Sequence, residues 1–466
     1  MKKGDELELS ISELSSEGMG IAKIEDNFVI FIPQTLPGDR VIAQINKKKS
    51  NYAEAKLVEL LDESPDRVAP YSMHFGVCGG CKIQNFAYNK QLEFKTNVVK
   101  NAFLRIGEFD NIEVNDCLAS PEVFYYRNKM EFSFSDDVWL EDPSLKGTEK
   151  FALGLHVPKF HSKILNIKYC FLQSEQSNKI LNFTRDFFKE RGTSIYSTKT
   201  HSGYLRFLII RQSKHTPDLM VNLITENYDE ELIKEYANAL RYAVPEITTI
   251  INAITSKKAQ VAFGEQEFVI YGDGVIYEKL TNLNGNEHTY KISANSFFQT
   301  NTLQAENLFN IGMQYGDFNG KDNVIDLYCG AGSISLFISD SVKYVKGVEL
   351  VADAIANANK NKKLNGVANC DFELSDIKDF LKSSSIEQFN KIILDPPRAG
   401  LHPEICEILS ETRKEKIVYI SCNPSTQARD LKIICNKGNY KLGRIQPVDM
   451  FPHTYHVENV VEVLAN

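Results

Sequence analysis

Hydrophobic residues alternate with polar ones along the first part of the chain. Two such runs are Leu7, Leu9, Ile11 and Val41, Ala43, Ile45, and the turn signals EGMG, EDN and LPGD separate the runs. A period of two is typical of half-buried strands, and the turn residues end each strand. The pattern predicts about five short strands that form a small barrel of the oligonucleotide-binding type over residues 1–66.

The middle of the chain has a mixed pattern. Residues 67–85 resemble a loop, and a helical spacing follows over residues 86–109. From about residue 121 to 280, strand-like stretches such as KMEFSFS and DLMVNLIT alternate with helical ones. We therefore expect a central α+β domain over residues 67–285.

The last third alternates β-branched strands with amphipathic helices. Its strands include NVIDL, YVKGVEL, KIIL and KIVYIS, and one of its helices is VADAIANANKNKKL. This order predicts a parallel, doubly wound α/β sheet over residues 286–466, of the Rossmann-like kind. Ligands of such sheets bind beyond the carboxyl ends of the strands.

Composition limits the class of protein. The chain has 466 residues, of which 43% are hydrophobic and 24% charged, so disorder of the whole chain is excluded. The segment MKKGDELELSIS lacks an apolar signal, and no apolar run approaches the roughly 20 residues that span a bilayer. We expect a cytoplasmic monomer without a membrane partner. Nine cysteines are better interpreted as thiols, ligands or nucleophiles than as disulfides.

Charge is distributed unevenly. The net charge of −8 excludes recruitment of nucleic acid by bulk positive charge. Residues 1–66 contain 8 Lys and Arg against 13 Asp and Glu, whereas residues 121–218 contain 15 against 11. A polyanion should therefore contact the middle of the chain first.

Acidic residues follow successive strands of the α/β part. The first strand ends at Asp326 before Gly330 and Gly332, but a dinucleotide fingerprint would need a third glycine at Ser335. The further acids Glu349, Asp376 and Asp395 each come where a later strand should end. Each acid alone could be a solvated side chain. As an ordered set they favour a nucleoside cofactor whose ribose, adenine amino group and ammonium they bind, and the arrangement resembles class I S-adenosylmethionine-dependent methyltransferases.

Cys422 and Glu458 are the candidate reactive residues. Cys422 lies between a strand and a helix that begins near Pro424, where a helix N-terminus lowers a thiol pKa. A thiolate there can add to carbon-6 of uracil and activate carbon-5. Glu458, beside Val457 and Val460, can have a raised pKa suited to a general base. The alternatives are a buried structural thiol and a solvent-facing glutamate.

The ordered motifs SFFQTN, DLYCGAG, LDPPRAG, SCNPST and HVENV resemble the RNA uracil-C5 methyltransferase family. This family includes the bacterial 23S ribosomal RNA enzymes and the transfer RNA m5U54 enzyme. The resemblance implies that Cys422 is the nucleophile, that Glu458 is the base and that Phe297 stacks on the target uracil. It also implies cofactor contacts from Gln299, Tyr328, Ser333, Glu349, Asp376 and Asp395. It gives Cys329, in the cofactor loop, no catalytic role.

The barrel resembles a TRAM domain, which the ribosomal enzymes carry and the transfer RNA enzyme lacks. The resemblance therefore favours 23S ribosomal RNA as the substrate, with RNA binding by the barrel. In relatives the helix over about residues 91–110 packs on the catalytic domain. A target base in folded RNA must leave its stack to reach the nucleophile.

A possible metal site lacks one ligand. Cys78 and Cys81 have Cys-x-x-Cys spacing, and Cys170 follows. Ribosomal members of the family bind a [4Fe–4S] cluster through four cysteines, the first lying six residues before this pair, where this chain has Ser72. A cluster, zinc and no metal all stay open.

Three other functions compete with this interpretation. One is a transfer RNA m5U54 methyltransferase. A second is an amino-group methyltransferase, although its Asp-Pro-Pro motif requires an aromatic fourth residue and this chain has Arg398. The third is a non-catalytic RNA-binding or redox-sensing protein. The modified uridine, the number of sites and the choice between free RNA and an assembly intermediate stay open.

Overall fold

The computed structural model describes residues 1–140, 142–145 and 147–466. The N-terminal strands are β1 (Glu6–Ser10), β2 (Glu13–Leu14), β3 (Gly20–Lys23), β4 (Val29–Ile32), β5 (Arg40–Lys48) and β6 (Tyr52–Asp62). They pair in the order β1-β5-β6-β4-β3-β2. Along β5, Val41, Ala43 and Ile45 are buried and alternate with more exposed neighbours. The predicted small barrel is confirmed, with six strands rather than about five.

The middle of the chain contains one long helix and a large sheet. Helix α1 (Tyr88–Arg105) is followed by β7 (Lys129–Ser135), β8 (Ala152–Val157), β9 (Phe160–Asn166), α2 (Glu175–Glu190), β10 (Leu205–Gln212), β11 (Leu219–Thr225), α3 (Glu230–Ala243), β12 (Thr249–Ile254) and β13 (Gln266–Tyr271). The seven strands pair in the order β13-β12-β11-β10-β7-β8-β9. A separate hairpin consists of β14 (Val275–Thr281) and β15 (Glu287–Ser293). The α+β character that the sequence predicts is confirmed.

The last third is a seven-stranded sheet covered by helices. Its elements are α4 (Thr302–Gly316), β16 (Asn323–Leu327), α5 (Ser333–Ile338), β17 (Tyr344–Glu349), α6 (Ala352–Leu364), β18 (Cys370–Leu374), α7 (Ile377–Lys382), β19 (Lys391–Leu394), α8 (Pro403–Glu411), β20 (Lys416–Ser421), α9 (Pro424–Cys435), β21 (Tyr440–Val448) and β22 (Glu458–Ala465). The order is β18-β17-β16-β19-β20-β22-β21. The first five strands are parallel and β22 is antiparallel to both neighbours. The doubly wound sheet is confirmed.

Helix α1 belongs to the core of the last sheet although it precedes the central sheet in the chain. Its residues Val99 and Phe103 are buried in the same hydrophobic cluster as Leu394 and Tyr419. The predicted division into residues 1–66, 67–285 and 286–466 stays a prediction.

A buried ion pair ties α1 to the loop before β22. The Lys95 ammonium contacts Asp449, and both side chains are fully buried. Lys95 Nζ also donates to the Phe451 carbonyl at 3.0 Å, and the Tyr88 hydroxyl donates to Asp449 at 2.8 Å. These contacts hold the chain that leads into Glu458. Within the described part of the chain, no helix has the length and apolar composition required to cross a membrane.

Candidate active site

The loop after β16 has a backbone that requires glycine. Tyr328 has φ 64°, Gly330 has φ 54° and Gly332 has φ 79°, all in the left-handed region. A Cβ atom at Gly332 would lie 2.5 Å from the ring of Phe372. Glycine is therefore favoured at Gly330 by its positive φ, and at Gly332 by both its positive φ and the closeness of Phe372. Gly332 also precedes the first residue of α5.

Three carboxyl groups, those of Asp326, Glu349 and Asp395, come from neighbouring strands at the carboxyl edge of this sheet. Asp326 is fully buried and accepts a hydrogen bond from Ser335 Oγ at 2.5 Å. Its Oδ1 has no partner among the described residues. Burial raises the pKa of Asp326 to about 7, with further contributions from Asp395 and Glu349. Burial alone raises the pKa of Asp395 to about 7.

The other two acids at this edge are anchored by backbone groups. Glu349 accepts hydrogen bonds from the backbone N–H groups of Gly330 at 3.1 Å, Leu350 at 2.9 Å and Val351 at 3.0 Å. Asp376 caps α7 by accepting from the backbone N–H groups of Lys378 and Asp379. These bonds fix where each carboxylate lies.

The carboxyl cluster fits a ligand with cationic groups. Within the described residues, no lysine or arginine forms an ion pair with Asp326, Glu349 or Asp395. Buried carboxylates without cations are costly, and an incoming cation lowers that cost. S-adenosylmethionine carries a sulfonium and an ammonium group, so its positive charges complement these carboxyl groups.

Cys422 and Glu458 face each other across two strands. β20 and β22 are antiparallel and their register ends with Ser421 opposite Asn459; Cys422, directly after β20, continues this register opposite Glu458, whose charge acts on the thiol. Glu458 is buried at 5% exposure, and Cys422 is half-buried. Burial, with repulsion from Asp395, raises the pKa of Glu458 to about 8. This is the direction that its apolar neighbours predicted.

The thiol pKa differs from the sequence-based expectation. Burial, followed by the negative charges of Glu458 and Asp395, raises the pKa of Cys422 to about 11, and the positive charge of Arg398 only partly opposes this rise. The N-terminus of α9 therefore does not decide the ionisation of the thiol. Desolvation and two carboxylates outweigh a helix dipole, whose contribution is typically below about 1 kcal/mol.

Arg398 is held close to the start of α9. Its carbonyl accepts hydrogen bonds from Asn423 Nδ2 at 3.2 Å and from Thr426 Oγ1 at 3.4 Å. Gly400 has φ 76°, and the following N–H, of Leu401, donates to Asp430 at 2.7 Å. The LDPPRAG segment is thus fixed against the helix that follows Cys422.

The SFFQTN segment joins the central sheet to α4. Phe297 is 76% exposed, and the Gln299 carbonyl accepts from Asn128 Nδ2 at 2.8 Å. Asn301 caps α4 by accepting from the Gln304 N–H. Ser333 opens α5, and its carbonyl accepts from the Tyr290 hydroxyl at 3.0 Å. An exposed aromatic ring at Phe297 is free to contact a base.

The three cysteines of the possible metal site line one cavity. Cys78, Cys81, Cys170 and Ser72 all line a cavity of 470 Å³ beside the central sheet. Burial raises the pKa of Cys78 to about 11 and also raises the pKa values of Cys81 and Cys170. Gln84 occupies part of the space, accepting from the Ser72 N–H at 2.8 Å and donating to Cys81 Sγ at 3.6 Å.

These residues are not gathered around a single metal ion. Across residues 1–140, 142–145 and 147–466, no group of three or more Cys, His, Asp or Glu side chains is arranged to hold a metal ion.

Two residues beyond the predicted set belong to the site. Asp326 is part of the carboxyl cluster, and Arg398 is the cation that acts on Cys422. Their signals in the sequence were the acidic residue near the end of a strand in VIDLY and the arginine that follows Asp-Pro-Pro in LDPPR. The Lys95–Asp449 pair behind the site had no local signal.

Comparisons with known proteins identify the family of this chain. The tRNA (Uracil-5-)-methyltransferase family model matches residues 205–465, and the TRAM domain model matches residues 1–58. An uncharacterized RNA methyltransferase of Chlorobaculum tepidum is 42% identical over 98% of this chain and 96% of its own length. Another from Bacteroides thetaiotaomicron is 40% identical over 96% of this chain and 99% of its own length.

A solved structure extends the similarity to the fold. It is the tRNA (uracil-54, C5)-methyltransferase of Pyrococcus abyssi in complex with S-adenosyl-L-homocysteine, with a TM-score of 0.75 and 28% identity, and the match covers 98% of this chain and 99% of that one. The matched family, the TRAM barrel and the carboxyl cluster lead to one conclusion: this chain belongs to the tRNA (uracil-5-)-methyltransferase family and is an S-adenosylmethionine-dependent RNA methyltransferase.

Proposed function

We propose that this enzyme methylates carbon-5 of a specific uridine in 23S ribosomal RNA through a covalent bond between Cys422 and carbon-6. The observation that carries the proposal is the facing pair of Cys422 and Glu458 beside Asp395. A nucleophile and a buried carboxyl group at one ligand-binding edge are the two groups that this substitution requires.

Carbon-5 of uracil is too weak a nucleophile to attack a methyl sulfonium directly. The Cys422 thiol first loses its proton to water, and the thiolate adds to carbon-6 and places electron density on carbon-5. Arg398 favours the thiolate because its charge lowers the pKa of Cys422. Bound S-adenosylmethionine supplies the electrophilic methyl group.

Glu458 acts in the second half of the reaction. After methyl transfer, carbon-5 still carries its proton, and the Glu458 carboxylate removes it. The electron pair of that C–H bond then re-forms the double bond, and Cys422 leaves from carbon-6. A pKa of about 8 gives Glu458 a basicity close to neutral pH, which suits general-base catalysis.

The remaining predicted residues position the two substrates. We assign Glu349 to the ribose hydroxyls, and Asp376 and Asp395 to the adenine amino group and the ammonium, because each acid follows its own strand at the carboxyl edge. Gln299, Tyr328 and Ser333 complete the cofactor site. Phe297, with its exposed ring, stacks on the flipped uracil.

A trapping experiment tests the two reactive residues. RNA that carries 5-fluorouridine at the target should form a stable adduct, because fluorine cannot leave as a proton does. Mass spectrometry should locate the adduct on Cys422 in the wild type and in Cys329→Ser. An adduct on any other residue contradicts the assignment. Glu458→Gln should accumulate a methylated adduct with ordinary uridine, and normal turnover by this variant would exclude Glu458 as the base.

The choice of 23S ribosomal RNA as the substrate rests on three cysteines, Cys78, Cys81 and Cys170. Ribosomal members of the resembled family carry cysteines at these spacings, and here Cys78, Cys81 and Cys170 line a single cavity. The barrel does not separate the two substrates, because the match to the Pyrococcus abyssi transfer RNA enzyme covers 98% of this chain and so includes barrel strands.

Methylation of uridine 54 in transfer RNA is therefore the second candidate, and that structural match favours it. A deletion strain separates the two functions. Loss of 5-methyluridine from 23S ribosomal RNA alone supports the first proposal. Loss from transfer RNA alone supports the second.

A further inference from the structure

A groove separates the barrel from the β8–β9 hairpin. It has a volume of 470 Å³, and its walls include Met19 of the barrel region, Lys82 of the cysteine loop, Trp139, Phe160 and Tyr455. We call it the Trp139 groove. It shares Cys78 and Cys81 with the cavity of the cysteine set but lies on the barrel side of that loop.

Two neighbouring aromatic rings line the Trp139 groove. The rings of Trp139 and Phe160 lie 5.2 Å apart at 45°, and Phe160 is 49% exposed. The indole N–H of Trp139 is buried and has no acceptor among the described residues. The rings offer planar faces on which bases can stack.

The cations at the groove suit a polyanion. Lys163 Nζ lies 5.3 Å from the Trp139 ring centroid and 5.9 Å from that of Phe160. Lys82 and Lys159 line the groove; its acidic neighbours are Glu17, which is exposed, and Glu54, whose carboxylate lies 3.8 Å from Lys159 Nζ. Residues 150–174 contain four lysines and no Asp or Glu, in a chain whose net charge is −8. Lys163 is the cation that lies within 6 Å of both aromatic rings.

The wall residue Tyr455 precedes Glu458 by three residues, which span at most about 11 Å, so the groove lies near the reactive pair. Tyr455, on its wall, has its ring 4.2 Å from that of His456, and Glu458 follows two residues later. A strand of RNA that lies in the groove would therefore lead toward the target uridine. The TRAM barrel forms the opposite wall.

We propose that the Trp139 groove binds single-stranded RNA that flanks the target uridine, stacking bases on Trp139 and Phe160 and pairing phosphates with Lys82, Lys159 and Lys163. The proposal rests on RNA being the substrate. Aromatic faces interleaved with lysines, in an otherwise acidic protein, are the features with which proteins hold unpaired nucleotides. The lysines at the aromatic rings and the closeness of Tyr455 to Glu458 in the chain favour RNA over a second copy of this acidic chain.

Intrinsic fluorescence tests the proposal directly, because Trp139 is the single tryptophan of the chain. Titration of the full-length protein with an oligouridine of about 10 nucleotides should quench the emission, since stacked bases lie against the indole. The same sugar-phosphate chain with abasic sites should bind more weakly and leave the emission unchanged. Equal quenching by both would show that only phosphates bind, and no response to either would overturn the proposal.

Variants separate the groove from the catalytic site. Trp139→Leu and Phe160→Ala should each weaken binding of labelled oligouridine about 10-fold, the range expected for one stacked base. Lys163→Gln should reduce the salt dependence of binding. The matched controls Tyr242→Ala and Lys179→Gln alter exposed residues that do not line the groove, so they should bind like the wild type. Circular dichroism checks that every variant is folded.

Methylation of substrate RNA gives the second readout. Trp139→Leu should raise KM for RNA while the 5-fluorouridine adduct still forms on Cys422 at saturating RNA. Unchanged KM and unchanged oligouridine binding in this variant would refute the groove but leave the proposed function intact. If the wild type itself methylates no uridine, the proposed function has failed instead.

Discussion

Replacing Glu458 with glutamine should stabilise the protein while it stops catalysis. Glu458 is buried, and burial with repulsion from Asp395 raises its pKa from 4.5 to about 8. In the unfolded chain the same group has its ordinary pKa. The folded protein therefore holds a proton that the unfolded chain releases, over a window from about pH 4.5 to about pH 8.

The sign and size of the Glu458 contribution to the free energy of unfolding follow from this pH window. Below it, both states are protonated and Glu458 contributes nothing. Within it, each pH unit costs the folded state about 1.4 kcal/mol. Above it, both states are ionised, and the accumulated cost is constant at about 5 kcal/mol. Glutamine cannot ionise, so the stability of Glu458→Gln relative to the wild type should rise by up to about 5 kcal/mol across the window. An unpaired buried amide would subtract about 1–3 kcal/mol at every pH without changing that slope.

Urea denaturation of the cofactor-free protein, followed by circular dichroism, measures this difference at several pH values. Glu462→Gln is a matched control on the same strand. Burial opposes ionisation of Glu462, but hydrogen bonds from Arg444 and Lys416 outweigh it and lower the pKa of Glu462 to about 2. The ionised Glu462 side chain stabilises the folded protein above about pH 4.5. Glu462→Gln should therefore have a lower free energy of unfolding than the wild type at neutral pH. A Glu458→Gln difference that does not change with pH would refute the reasoning.

Three further outcomes follow from other contacts. Lys95→Met leaves Asp449 buried without its cation and should destabilise the protein by about 3–5 kcal/mol in urea denaturation; adding Asp449→Asn should recover part of the loss, and a strictly additive double variant would contradict the pairing. Gly332→Val places a side chain against Phe372 at a positive φ. It should weaken S-adenosyl-L-homocysteine binding at least about 10-fold by calorimetry, whereas unchanged affinity would show that the loop adjusts. Ser72 lines the same cavity as the three thiols, so anaerobically purified Ser72→Cys should contain more iron and sulfide than the wild type. A stoichiometric cluster in the wild-type protein would contradict this expectation, because Ser72 would then not limit cluster binding.

The periodic patterns of hydrophobic residues predicted most of the fold. Alternation with period two predicted the barrel because one face of each strand must be buried, and β5 shows this alternation residue by residue. Apolar strands between amphipathic helices predicted the parallel sheet, since both faces of such a sheet are covered. The sixth barrel strand was missed because β2 has only two residues and cannot display a period.

The site was predictable where it follows strand ends. Glu349 and Asp395 come at or directly after their strands, so the rule that parallel strands end at one edge brings them together from sequence alone. The helix-terminus argument for Cys422 was wrong about the thiol pKa. It used only neighbours in the chain, whereas the pKa responds to Glu458 and Asp395, which come from other strands.

Local pattern therefore determined the elements and the kinds of reactive group, because secondary structure responds to residues a few positions apart. Tertiary structure alone decided the pKa values of the site residues and the contacts between the barrel, the central part and the last sheet. The pairing of Lys95 with Asp449 joins residues 354 positions apart, and the Trp139 groove exists only where the barrel, the cysteine loop and the β8–β9 hairpin meet. Burial and Coulomb interactions depend on distances in space, which one-dimensional spacing does not encode.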